Sequence, residues 1–212
     1  MASGHDPELV LGAIERCDRF LVQQLFRPIA NEYRISVPAL GATEEGEPIL
    51  FVKQKRMAIR EDIRFRLAPD ADAHLFMIKS KTVFEFRGRH EVLDAEGAVI
   101  GLLEKDFTRS LLRSHWHVRA PDGTELFEGY EASMLVAVVR RFAGFLSEWL
   151  SALQWLPFNV LLMRGGQQVG TYKRVLGPLR DRYVLELGPG LEGVDRRLVL
   201  AVAVALDALQ DR

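Results

Sequence analysis

Leu198-Val199-Leu200-Ala201-Val202-Ala203-Val204-Ala205-Leu206 decides the architecture of this chain. These nine residues carry no polar side chain, so a helix opened by Val194-Asp195-Arg196-Arg197 has no solvent face before Asp207. A helix that is apolar on every side must be enclosed, by protein or by lipid. Nine residues fall far short of the ~20 that a membrane span needs. The helix therefore requires a protein sheath, which the residues before it must supply.

Those residues read as strands and turns. The one exception is the start, where Asp6 as N-cap and Pro7 at the first helical position predict a short helix over about 6–16. The hydrophobic period then becomes two, and strands are expected at about 20–26, 32–37, 48–56, 62–67, 74–81, 83–93, 98–106, 112–120, 124–131, 158–163, 167–175 and 182–187. Alternation is clean in Ile63-Arg64-Phe65-Arg66-Leu67 and in Val83-Phe84-Glu85-Phe86-Arg87. A strand–turn–strand unit recurs three times, around Glu96-Gly97, Asp122-Gly123 and Gly165-Gly166. Such dipeptides supply the positive φ angles of hairpin turns, so the sheet is antiparallel. A helix is about 10 Å across, whereas an eight-stranded barrel is filled by its own side chains. Enclosing the helix takes about eleven or twelve strands. The expectation is a mainly β single domain over 1–212: a closed antiparallel barrel of about twelve strands around a hydrophobic C-terminal helix at about 194–210.

Composition narrows the function. The chain has 212 residues, 48% hydrophobic, with 28 basic and 29 acidic residues and a net charge of -1. That balance does not suit a general nucleic-acid binder, and no nucleic-acid partner is expected. The one cysteine, Cys17, excludes an internal disulfide. The opening MASGHDPELV lacks a basic start before an apolar core, so the expected location is cytoplasmic, or peripheral at a membrane. No nucleophile elbow, phosphate-cradling glycine loop, dinucleotide fingerprint or H-E-x-x-H motif occurs. No catalytic residue, cofactor or metal is expected, and the reading is non-enzymatic.

Several stretches resemble the tubby C-terminal-like superfamily, in particular its LURP-one-related branch, with the phospholipid scramblases as cousins. They are Phe51-Val52-Lys53-Gln54-Lys55, Glu91-Val92-Leu93-Asp94-Ala95-Glu96-Gly97-Ala98-Val99-Ile100-Gly101, Trp116-His117-Val118-Arg119-Ala120-Pro121-Asp122-Gly123 and the terminal apolar helix. The order of these motifs carries the resemblance, over roughly residues 19–209. It implies a twelve-stranded barrel around a hydrophobic helix, with no enzymatic activity shared across the superfamily. Tubby proteins bind phosphoinositides through lysines and arginines, but those positions have no residue-by-residue match here. The scattered aspartates form no dense oxygen-ligand loop, which argues against a calcium-driven scramblase.

Four features are candidate sites. Lys53 and Lys55, Arg64 and Arg66, Lys79 and Lys81, and Arg87 and Arg89 are i, i+2 pairs on four consecutive expected strands, so each pair shares a face. Ten basic and five acidic residues lie between Lys53 and Arg89. A patch of that kind suits anionic lipid headgroups or phosphorylated ligands; the plainer reading is a solvated barrel exterior. Residues 134–156 form an amphipathic insertion with Phe142, Phe145, Trp149 and Trp155 on or near its apolar face. It would lie in a membrane interface, contact a partner or second copy of the chain, or simply pack on the barrel. His115 and His117 share a strand face and would be part of a metal site only with a further ligand, for which His74, His90 and Asp106 are the candidates. The plainer reading there is two polar residues on an exposed face. Cys17 has no evident histidine partner.

The leading expectation is a non-catalytic binding or scaffold protein that works through its barrel exterior. The alternative is a lipid-handling protein, scramblase-like or acyl-chain-binding, which needs an elongated apolar cavity beside the helix.

Overall fold

The computed structural model describes residues 6–26, 30–37, 46–55, 62–80, 88–106, 115–131, 159–175 and 182–208. Helix α1 (Pro7–Arg16) begins where Asp6 accepts a hydrogen bond from the Glu8 N–H at 3.0 Å. Twelve described strands follow: β1 (Arg19–Phe26), β2 (Ala30–Ser36), β3 (Pro48–Lys55), β4 (Asp62–Arg66), β5 (Phe76–Ser80), β6 (Arg89–Asp94), β7 (Val99–Lys105), β8 (His115–Arg119), β9 (Glu125–Glu131), β10 (Asn159–Arg164), β11 (Gln167–Val175) and β12 (Arg182–Leu187). Helix α2 (Arg196–Ala208) ends the described chain. Each strand pairs antiparallel with its neighbours in sequence, and β1 pairs with β12, so the sheet closes into a barrel. The residues 83–87 and the insertion 134–156 lie outside the described residues.

Period-two patterning builds the wall. In β4, Ile63 and Phe65 point inward and are fully buried, while Asp62, Arg64 and Arg66 point outward. One inward row runs through register partners Phe20, Leu185, Tyr172 and Val160, all fully buried. Phe65 stacks on Phe76 at 4.0 Å between ring centroids, and Tyr172 on Tyr183 at 5.0 Å. The β6–β7, β8–β9 and β10–β11 turns use Gly97, Gly123, Gly165 and Gly166 with φ of 87°, 91°, 57° and 80°. Asp94 and Asp122 close the first two turns, accepting hydrogen bonds from the N–H groups of Ala98 and Thr124 at 2.7 and 2.9 Å. These turns gather at the barrel end where α2 begins.

Inside the wall, every residue from Leu198 to Leu206 is at most 1% exposed. Each large side chain so enclosed contributes roughly 1.5–3 kcal/mol relative to exposure, and this contribution requires the whole barrel to be closed. The helix start is held electrostatically. Asp195 accepts from the Arg197 N–H and takes its guanidinium on both oxygens, while Arg196 pairs with Asp18 at 2.7 Å and donates to the Glu15 carbonyl. The carboxylates of Asp18 and Asp195 offset two cations placed at the positive end of the helix dipole. No described helix is long and apolar enough to cross a membrane.

Candidate functional site

The outer face of β2, β3 and β4 carries a cavity of about 350 Å³. Its lining includes Arg34, Phe51, Lys53 and Arg66, with Glu32 and Asp70 also on the wall. Register explains the grouping. Arg34, Phe51 and Arg66 are Cα partners in one row across three strands, and Glu32, Lys53 and Arg64 form the next row. All are outward positions of strands whose alternate residues fill the core. Lys53 pairs with Glu32 at 3.7 Å. Among the described residues no ion pair engages Arg34 or Arg66, and the Nε of Arg66 is buried without a hydrogen-bond partner. A buried donor without an acceptor costs about 1–3 kcal/mol, more when charged. The local field is positive: after burial itself, Arg64 and Arg66 are the groups that hold the nearby His74 imidazole below its ordinary value.

The other expected cations are spread around the wall and interleaved with acids. Arg64 lies 3.9 Å from Asp62, Lys79 stands in register between Asp62 and Glu91, and Arg89 lies 3.2 Å from Glu104. Exposed pairs of this kind contribute little to stability, but they shorten the reach of the field. Lys81, Arg87, Phe142, Phe145, Trp149, Trp155 and the side chain of Lys55 lie outside the described residues. Arg34 was not among the expected site residues. It stands alone as a cation in β2, and only register places it beside Phe51 and Arg66.

The histidine pair departs from the exposed-face expectation. His115 is buried, at 4% exposure, although it points outward. The Tyr130 ring stands perpendicular to it with 5.9 Å between ring centroids, and Glu128 is hydrogen-bonded to its Nε2 at 2.7 Å. His117 is half-buried. One ligand atom from each of Asp106, His115 and His117 lies within 4.8 Å of the others. Of the expected third ligands, Asp106 is therefore the one brought to the pair, while His90 points into the barrel beside Trp116. At Cys17, burial pushes the thiol above its ordinary value, which makes it a weak nucleophile at neutral pH.

No curated protein and no solved structure matches the chain. The family model described as LURP-one-related matches residues 49–207, most of the barrel together with the central helix. With that match and a closed twelve-stranded barrel around a buried helix, the chain belongs to the LURP-one-related family, a branch of the tubby-like superfamily.

Proposed function

We propose that the protein is a non-enzymatic binding module that takes an anionic, phosphate-bearing group into the outer-wall cavity between β2, β3 and β4. One observation carries this reading: Arg34 and Arg66 line one cavity, and among the described residues no ion pair engages either guanidinium. Arginine is the side chain suited to forking two phosphate oxygens, and Lys53 adds a point charge on the same face. Phe51, between the two arginines in register, offers an apolar floor. The close packing around α2 favours this outer wall over an acyl-chain site inside the barrel. On a membrane, the ligand would be an anionic lipid headgroup, and the protein would sit peripherally, with the 134–156 insertion as a second contact. In solution it would be a phosphorylated small molecule or peptide.

The test is co-sedimentation with vesicles containing anionic phospholipid, run at low salt beside neutral phosphatidylcholine vesicles, with titration of a soluble inositol phosphate in parallel. Each cation near an anionic surface is worth about 1 kcal/mol, so R34Q and R66Q should each weaken vesicle binding about fivefold. Added salt should weaken it further. Failure of both the anionic vesicles and the soluble phosphate to bind, or equal binding by the double variant, overturns the reading.

A further inference from the structure

A second polar cluster lies on the outer face of β7, β8 and β9, away from the arginine cavity. Strand β8 presents His115 and His117 outward. One residue past β7, the Asp106 N–H donates to the His115 carbonyl at 2.9 Å, which sets Asp106 opposite His115. On the other side Glu128 is the register partner of His117, and Glu125 lies opposite Arg119 next to a register shift. Three strands thus bring together two imidazoles and three carboxylates that are distant in sequence.

We propose that Asp106, His115 and His117 bind a divalent transition-metal ion, zinc or one of similar preference, while Glu125 and Glu128 orient the two imidazoles. Each histidine is held by a carboxylate on one nitrogen and turns the other toward Asp106. His115 Nε2 meets Glu128 at 2.7 Å, and His117 Nδ1 meets Glu125 at 2.9 Å. An ionised carboxylate only accepts, so both of those nitrogens carry the hydrogen. In the neutral ring the remaining nitrogen then offers a lone pair. His115 Nδ1 lies 3.7 Å and His117 Nε2 lies 3.9 Å from Asp106 Oδ2. A divalent cation set between these three atoms would take up two imidazole lone pairs and a carboxylate oxygen. Ligands at tetrahedral angles around zinc are roughly 3.3 Å apart, so the two imidazoles and Asp106 would draw in toward the ion to close the site.

The surrounding charge agrees. Among the described residues, Glu104, Asp106, Glu125 and Glu128 face Arg89 and Arg119 on this outer wall, four carboxylates against two guanidiniums, a balance suited to a dication. Two imidazole ligands favour zinc, nickel, copper or iron over magnesium and calcium. The carboxylate–histidine–metal arrangement fixes tautomer and ring orientation at metal sites in general. His117, Glu125 and Glu128 also cluster within ligand reach. However, Arg119 already binds Glu125 at 3.4 Å and Glu128 is engaged by His115, so those carboxylates serve as orienting groups.

The full chain, treated with EDTA and dialysed, is titrated with Zn2+ by calorimetry and with Co2+ by visible absorption. One equivalent should bind, with the intense d–d bands of low-coordinate cobalt. H117A and D106N, at positions only partly buried, should each lower affinity at least tenfold, and E125Q about tenfold. H74A, outside the cluster, should leave binding unchanged. Circular dichroism confirms that each variant is folded, and D106N carries the test if H117A is not. Absence of saturable binding by the wild type overturns the proposal. So does wild-type affinity in both D106N and H117A.

Discussion

At Gly101, strand β7 meets the start of α2. A Cβ added there would lie 2.6 Å from Leu198 Cδ2 and 2.9 Å from the Arg119 carbonyl oxygen. One obstacle is backbone and the other a side chain enclosed by the barrel, so neither can retreat cheaply. G101A should therefore cost about 1–3 kcal/mol, as overpacked cores do, and a thermal melt should show a lower midpoint with unchanged strand content. An unchanged midpoint would mean that α2 can shift within its sheath. A glycine in a strand pattern is visible in sequence, but nothing there says what approaches it. The same holds for Arg34 and Asp106: residue type suggested their chemistry, and register alone gave them neighbours.

At the scale of elements, the Leu198–Leu206 run was legible because an apolar face on every side admits few environments. Val202 sits at its centre and is fully buried. V202D places an unpaired carboxylate where no water reaches, a penalty of several kcal/mol against a typical total stability of about 5–15 kcal/mol. The variant should fail to give soluble protein with native strand content by circular dichroism, whereas a solvent-facing helix would tolerate the change. Strands were equally legible, since alternation and hairpin dipeptides fix their existence and pairing direction. Their ends were less so: the expected 98–106 is Val99–Lys105, and the expected 74–81 begins at Phe76. Hydrogen bonding to neighbours decides where a strand stops, and a single strand's sequence carries little of that.

The closed barrel makes stability a property of the whole molecule, and one inward histidine makes it depend on pH. His90 on β6 is buried against Trp116, and burial first, then Lys105, lowers its pKa from 6.5 to about 4. Between those values the unfolded chain takes up a proton that the native barrel refuses. This contribution is fully present above pH 6.5, falls as pH drops toward 4, and levels off below. The span corresponds to about 3 kcal/mol. Chemical denaturation across pH 4 to 7 should show the loss, and H90L should flatten it; an identical slope in H90L would assign the pH dependence to other groups.

Sequence alone determined that this chain is a closed antiparallel barrel of about twelve strands around a hydrophobic C-terminal helix. Periodicity, turn chemistry and an all-apolar helix are local properties, and each narrows the fold without knowledge of contacts. It also named residue types suited to anions and to metals. Tertiary structure decided which of them meet. Closure set the register, register put Arg34 beside Arg66 and interleaved the other cations with acids, and it carried Asp106, Glu125 and Glu128 to the two histidines. A site is a set of distances between strands, and those distances exist only once the sheet has closed.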